Sequence, residues 1–374
     1  MPTPPPTLEQ LRRYAIARSL FPPTTLGAAI RRLGFVQADP MRAPARAQDL
    51  ILRHRVRDYL AGDLERAYPR LAVEEDCFVN YGFVPRAMLP LLHPRTPRRA
   101  WDAATRRRAD ELLAHVRSRR GPVHPTRLIE AFAHHGRTPG YWGGELNVST
   151  RLLDGLHYRG RLRVKRREGG TRVYEAVSHP PADDAPAARR ARAEALLDVI
   201  VRLYAPLPAA SFGYLVSLLG YGAPQLRVEA RAAFRRATER YAHAAVAGTT
   251  WFWPLDENPR SRRHAPDERL RLLAPFDPVV WDRRRFERFW GWAYRFEAYT
   301  PAHKRTMGHY ALPLLWGESI PGWANLRIEG GRLKHELGFR GPAPRGAAFK
   351  AALRDELERM RVFLGLSQAR APGG

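Results

Sequence analysis

Two alternating segments joined by a pair of glycines restrict the fold of this chain more than any other pattern. Residues 161–167 (RLRVKRR) and 171–177 (TRVYEAV) flank the sequence Glu168-Gly169-Gly170, and such runs around a Gly-Gly turn are typical of a β-hairpin. Three helical patterns precede the hairpin, at residues 103–119, 125–135 and 149–157. Three helices followed by a hairpin predict a winged helix, which is a variant of the helix-turn-helix DNA-binding fold.

The same order of elements recurs downstream without sequence identity. After a Pro/Asp/Ala-rich linker at 178–186, helical patterns are followed by two alternating runs about Gly248. We interpret this as a second copy of the architecture, and therefore as tandem winged helices. The segments are 188–204, 209–219 and 223–239 for the helices, and 240–247 and 249–255 for the hairpin.

These patterns predict a mainly α fold with small β wings, an α+β architecture of tandem winged helices and a C-terminal cap. Near the N-terminus, helices are predicted at 8–20, 26–33 and 46–59. The cap is predicted to contain helices at 283–290 and 346–364, strands at 294–299 and 309–316, and a hairpin at 325–337. The predicted domains are 1–100 (winged-helix-like), 101–180 (winged helix with a basic wing), 187–257 (third winged helix) and 268–366 (α+β cap).

The charge balance indicates a polyanionic partner. The chain has 63 basic and 37 acidic residues, a net charge of +26 and a pI of about 11.1, which favours binding to double-stranded DNA. Genomic base content explains why the chain uses arginine more often than lysine. It does not explain the excess of basic over acidic residues. The chain has no signal-peptide pattern and no apolar run of membrane-spanning length. We therefore expect a cytoplasmic, nucleoid-associated monomer without membrane contact.

The candidate DNA-binding residues are cations that follow the chain's polar motifs or occupy the basic hairpin. Alternation places four of them on one face of the first hairpin strand, and no acidic residue interleaves before Glu168. The alternative is a solvated strand face. The candidates are Arg42, Arg46, Arg53, Arg161, Arg163, Lys165 and Arg167.

A polar triplet, Gln37-Ala38-Asp39, ends a short apolar run and is closed by Pro40. Period-two alternation directs Gln37 and Asp39 to the same side of the backbone. An amide and a carboxylate held together in this way suit hydrolysis at an electron-poor leaving group. The alternative is structural, with Asp39 capping the following turn.

Several short blocks in the C-terminal part, together with the triplet, carry a resemblance to a known family. The chain resembles the winged-helix DNA glycosylases of the AlkZ/YcaQ type, bacterial enzymes that excise alkylated bases and unhook interstrand crosslinks. Gln37-Ala38-Asp39 is similar to the family signature of Gln, an apolar residue, then Gln or Asp. The C-terminal blocks are LAPFDP at 273–278, WDRRR at 281–285, PAHKR at 301–305, GHY at 308–310 and LPLLWG at 312–317.

The resemblance implies a monofunctional DNA glycosylase in which Asp39 positions water and stabilises an oxocarbenium-like sugar, while Gln37 holds the water or the sugar. It also implies that Lys304 and Arg305, in the PAHKR block, bind DNA; the alternative is that they pack on the cap. The chain departs from the family at Gln48 and Asp49, where two histidines are expected. It also departs at Asn80, Gly82 and Val84, so Asn80 and Tyr81 are predicted to line an altered pocket in a divergent subgroup. The alternative function is a non-enzymatic winged-helix DNA-binding protein, either a regulator or an inactive relative.

No cofactor or metal is predicted. The single cysteine, Cys77, excludes an intramolecular disulfide framework and a cysteine-based zinc site. His134 and His135 are adjacent, but the sequence shows no matching carboxylate or cysteine near them, so solvated or capping histidines are expected.

Overall fold

The structure is a computed structural model that describes residues 4–140 and 143–366. It contains both helices and strands, as the α+β prediction requires. In chain order the helices are α1 (Leu8–Ser19), α2 (Leu26–Leu33), α3 (Ala47–Leu52), α4 (Asp63–Ala67), α5 (Leu89–Leu92), α6 (Ala103–Ser118), α7 (Pro125–Ala131), α8 (Val148–Tyr158), α9 (Pro186–Tyr204), α10 (Ala209–Gly222), α11 (Arg227–Arg235), α12 (Ala237–Arg240), α13 (Arg283–Trp290) and α14 (Ala347–Phe363).

The strands are short outside the C-terminal sheet. In chain order they are β1 (Val36–Gln37), β2 (Val73–Cys77), β3 (Tyr81–Pro85), β4 (Arg137–Pro139), β5 (Glu145–Asn147), β6 (Leu162–Glu168), β7 (Thr171–Ala176), β8 (Leu207–Pro208), β9 (Ala242–Val246), β10 (Thr249–Trp253), β11 (Leu270–Leu272), β12 (Leu312–Trp316), β13 (Ser319–Glu329) and β14 (Arg332–Phe339). Within the described part of the chain, no helix has the length and apolarity that crossing a membrane requires.

Most predicted elements are confirmed, and four differ from the structure. The helix predicted at 125–135 ends at Ala131 and is followed by a separate 3₁₀ helix at Ala133–His135. The helix predicted at 46–59 ends at Leu52, where the Arg55 guanidinium turns inward and donates to the carbonyls of Ser19 and Ile51. The helix predicted at 223–239 is interrupted between α11 and α12. The strand predicted at 294–299 is irregular, because this segment supports the loop at 306–307 instead of pairing with a strand.

The chain forms two compact units, each made of separate stretches of sequence. The first contains the described residues within 1–64, 198–214 and 235–374, and the second contains those within 65–197 and 215–234. This grouping cuts across the predicted domain at 187–257, whose residues are shared between the units. The four consecutive domains stay a prediction.

The first unit is organised around two antiparallel sheets. Strands β11, β12, β13 and β14 pair in consecutive order, while β10 pairs with both β8 and β9. A buried ion pair fixes the segment after α3 to the loop after β11. Arg55 and Asp277 are both fully buried and form two hydrogen bonds of 2.7 and 2.9 Å. This bidentate pair holds the loop that leads to Trp281.

The second unit contains the predicted three helices and basic hairpin. Helices α6, α7 and α8 are followed by β6 and β7, which pair antiparallel with a bulge between Val164 and Arg166. Val123, between α6 and α7, bridges Tyr174 on β7. Leu112, Leu128, Leu153 and Val164 are almost completely buried and form part of its core.

Candidate active site

A glycine that ends helix α2 positions the polar triplet in the first unit. Gly34 ends α2 with a φ of 75°, and a Cβ at this position would lie 2.8 Å from Val199 Cγ1. A residue other than glycine would therefore be strained and would collide with α9. The chain leaves α2 directly into β1, so that Gln37 lies at the end of this strand and Asp39 in the loop that follows.

The Gln37 side chain is held by an indole from the other end of the sequence. Gln37 is buried, and its Oε1 accepts a hydrogen bond of 2.9 Å from Trp281 Nε1. Trp281 occupies the turn before α13, where its backbone N–H donates to Asp277 O. The bond fixes the orientation of the amide, because its oxygen faces the indole and its NH₂ group is left to donate elsewhere.

The Asp39 carboxylate is half-buried and only partly used by the fold. Its Oδ1 accepts a hydrogen bond of 2.9 Å from Met41 N, so Asp39 does cap the following turn, as the structural alternative predicts. The structure gives the other carboxylate oxygen no hydrogen bond from the described residues. Burial raises the pKa of the Asp39 carboxyl above its ordinary value, against the opposing effect of the Met41 N–H. The carboxylate is therefore a stronger base than that of an exposed aspartate.

The two residues that replace the expected histidines have different surroundings. Gln48 is buried on α3, and its Oε1 faces Asp39 N at 3.4 Å. Asp49 accepts hydrogen bonds from Tyr59 O–H at 2.7 Å and from Gly62 N at 3.2 Å. Gln48 therefore supports the backbone of the triplet, while Asp49 holds the chain after α3.

A loop held by Glu297 leads to Tyr310. Glu297 accepts from the backbone N–H groups of Thr306 and Met307 at 2.9 and 2.7 Å. Gly308 follows with a φ of 99°, and a Cβ there would lie 2.5 Å from Asn325 Nδ2. Only glycine fits this position without strain, so the loop depends on the GHY sequence.

Tyr310 lies within the electrostatic range of Asp39. Burial raises the pKa of the Tyr310 hydroxyl, and the negative charge of Asp39 raises it further. The hydroxyl is buried and has no hydrogen-bond partner within the described residues. Arg283 acts on the same tyrosine with the opposite sign, and its guanidinium lies 4.5 Å from the centre of the Tyr294 ring. Asp39 and Arg283 thus act on the pKa of the Tyr310 hydroxyl with opposite signs.

Aromatic rings extend from Trp281 to the protein surface. Trp281 contacts the buried Tyr204, with ring centres 5.1 Å apart, and stacks on Tyr214 at 6.3 Å with an interplanar angle of 24°. Tyr214 is 55% exposed. The indole that orients Gln37 is therefore in contact with a tyrosine that is accessible to solvent.

The predicted DNA-binding residues of the first unit differ in accessibility. Arg42 and Lys304 are exposed, and no carboxylate in the described chain pairs with either of them. Arg46 is half-buried at the N-cap of α3, and Arg305 donates to Thr300 O at 2.7 Å. Arg53 is different, because its side chain is 5% exposed and forms a 2.8 Å ion pair with Glu356. The structure therefore uses Arg53 to anchor α14.

Acidic side chains from β2 reach the basic hairpin, although no acidic residue interleaves within its first strand before Glu168. Arg163 is paired with Glu74 at 2.7 Å, and Arg167 with Glu75 at 2.6 Å. Lys165 lies 3.4 Å from Glu175 on the neighbouring strand. The bulge after Val164 also breaks the strict alternation. Arg161 is exposed, while the charges of the other three are compensated within the second unit.

The two predicted pocket residues lie at the β2–β3 turn of the second unit. Asn80 is exposed, and its Oδ1 accepts from Tyr81 N at 2.8 Å. Tyr81 donates to Glu75 Oε2 at 2.8 Å and is covered by the Arg172 guanidinium at 4.4 Å. These contacts are internal to the second unit, and a role in a pocket stays a prediction.

Sequence reasoning missed Trp281, Tyr310 and Tyr214 as parts of the site, whereas it noted Gln48 as a departure from the family. Trp281 and Tyr310 both belong to the C-terminal blocks WDRRR and GHY that carry the family resemblance, and this was the available signal. Tyr214 gives no comparable signal, because an aromatic residue inside a helical pattern is more often part of a core.

Comparison with known proteins identifies the family of this chain. A family model described as "DNA glycosylase AlkZ-like" matches residues 30–363, which include the triplet and all of the C-terminal blocks. None of the solved structures matches the chain. The match confirms the resemblance inferred from the motifs, whereas the Gln-Ala-Asp subgroup stays a prediction. Because the family model covers most of its length, the chain belongs to the AlkZ-like DNA glycosylase family.

Proposed function

We propose that the protein is a monofunctional DNA glycosylase that excises N-alkylated purines from double-stranded DNA. The observation that carries this proposal is the pair formed by Asp39 and Gln37. Asp39 is a half-buried carboxylate with a raised pKa and one oxygen left unbonded by the described residues. Gln37 is oriented by Trp281. Family membership supports DNA as the substrate.

The chemistry depends on the positive charge of an N7- or N3-alkylated purine. As the bond between C1′ and the base nitrogen breaks, its electron pair neutralises the departing base, so little protonation of the base is needed. The Asp39 carboxylate stabilises the oxocarbenium-like sugar through its charge. It then accepts a proton as water oxygen bonds to C1′. Gln37 uses its NH₂ group, for which the structure gives no hydrogen bond to the described residues, to hold the water or the sugar.

Two further features fit this reaction. Tyr214, stacked on Trp281, offers an accessible π-face on which a cationic purine can stack. Tyr310 has a buried hydroxyl without a hydrogen-bond partner among the described residues, and the Asp39 charge raises its pKa. In the proposed reaction this hydroxyl donates to the bound water. The proposal includes the N-alkylpurines of interstrand crosslinks, since the same glycosidic bond breaks.

DNA binding in this proposal involves exposed cations and the helical second unit. Arg42 and Lys304 are accessible for phosphate contact. In the second unit, α6, α7 and α8 with the β6–β7 hairpin and the Val123–Tyr174 bridge follow the order of elements in a winged helix. This order supports the winged-helix interpretation of that segment.

Base release from duplex DNA containing 7-methylguanine tests the proposal. Free base is measured by chromatography, and strand integrity is measured by gel electrophoresis before alkali treatment. We expect the wild-type protein to release base and leave the strand intact, and Asp39→Ala to lose this activity. Asp355→Ala, an exposed carboxylate on α14, is the matched control. Tight DNA binding without base release by the wild type would favour the non-enzymatic alternative.

A further inference from the structure

A second cluster of polar side chains lies in the second unit, between α6 and the short 3₁₀ helix Ala133–His135. One ligand atom from each of Glu111, His134 and His135 lies within 4.8 Å of the other two. The expectation that the histidines have no matching carboxylate is therefore wrong, because α6 supplies Glu111 from more than 20 residues upstream. Imidazole nitrogens and a carboxylate oxygen form a donor set that suits Zn²⁺.

His135 is the independent observation that points to a ligand. Its side chain is 3% exposed, and both Nδ1 and Nε2 are buried without a hydrogen-bond partner among the described residues. Native proteins rarely leave a buried polar group unpartnered. A cation at this position would bind a nitrogen for which the described residues supply no hydrogen-bond partner.

The geometry needs little adjustment to hold an ion. Ligand atoms about 2.1 Å from a tetrahedral zinc ion are about 3.4 Å apart, and His135 Nε2 lies 3.5 Å from Glu111 Oε2. The His134 ring centre lies 4.5 Å from that of His135. His134 and Glu111 are exposed, so both can rotate to complete the site. Phe132 packs against His135 at 5.1 Å and restricts its ring.

We propose that Glu111, His134 and His135 form a Zn²⁺ site, with water as the fourth ligand. Such an ion would link α6 to the segment after α7. This role is independent of the proposed glycosylase reaction, because none of the three residues belongs to the candidate active site.

Zinc titration of the metal-stripped full-length protein by calorimetry tests the proposal, with thermal unfolding as a second measurement. We expect one site in the wild type and a higher melting temperature with zinc. Glu111→Gln and His134→Ala change exposed side chains, so folding should persist while zinc affinity falls by about tenfold or more. His335→Ala, exposed on β14, is the control and should bind zinc as the wild type does. Wild-type binding in both Glu111→Gln and His134→Ala, or no zinc binding by the wild type, would overturn the proposal.

Discussion

Replacing Trp281 with phenylalanine isolates the hydrogen bond that orients Gln37. The phenyl ring keeps the aromatic contacts with Tyr204 and Tyr214 but removes the indole N–H that donates to Gln37 Oε1 at 2.9 Å. Gln37 is only 5% exposed, so water cannot readily replace the lost donor. Leaving a buried acceptor unpaired costs about 1–3 kcal/mol. If this cost raises the free energy of the transition state and not that of the bound substrate, base release slows by about 5- to 150-fold.

The assay is single-turnover release of 7-methylguanine with enzyme in excess, so that product dissociation does not enter. Trp290→Phe is the matched control, since Trp290 Nε1 donates to Glu318 O at 2.8 Å in the same unit without contacting Gln37. We expect the control to lower stability while base release continues at the wild-type rate. In a Gln37→Ala background, Trp281→Phe should have no further effect. Equal slowing in both backgrounds would refute the proposed link between these residues.

Three further predictions concern stability, pH and DNA affinity. Asp277→Ala should lower the free energy of unfolding by about 3–5 kcal/mol, because it leaves the buried Arg55 guanidinium unpaired; a loss below about 1 kcal/mol in urea denaturation would contradict this. Base release should fall as the pH is lowered, because protonation removes the basic form of Asp39. Burial raises the pKa of Asp39, so the midpoint of this fall should lie above the ordinary aspartate pKa. A midpoint at or below the ordinary value in a pH–rate profile would contradict this prediction. In salt titrations of duplex binding, Arg42→Ala should reduce the slope of log affinity against log salt concentration by about one. Arg167→Ala should change the slope less, because Arg167 is already paired with Glu75. Equal slopes for the two variants would show that the pairing with Glu75 does not affect DNA binding.

The elements of the fold were largely predictable because their signals are local. Helix periodicity and glycine turns identified α6, α8 and the β6–β7 hairpin within a residue or two. The failures arose where distant residues intervene. The helix after Arg46 ends early because the Arg55 guanidinium turns inward to a carboxylate more than 200 positions away.

The candidate site was predictable only in part for the same reason. Alternation and the family signature identified Gln37 and Asp39. The indole that orients Gln37 lies 244 positions later, and no pattern in the sequence reports that contact. The carboxylates that neutralise Arg163 and Arg167 lie 89 and 92 positions earlier. Charge counted along one strand therefore overestimated the positive charge available for DNA.

The rate of base release by Asp39→Asn tests the central claim most directly. The amide keeps the size of the side chain but cannot accept the proton of water or carry the charge that stabilises the sugar. Under single-turnover conditions with a 7-methylguanine duplex, we expect the rate to fall by about 10²- to 10⁴-fold, with duplex affinity and circular dichroism unchanged. Release within a few-fold of the wild-type rate would mean that Asp39 only caps its turn, and the proposed mechanism would be wrong.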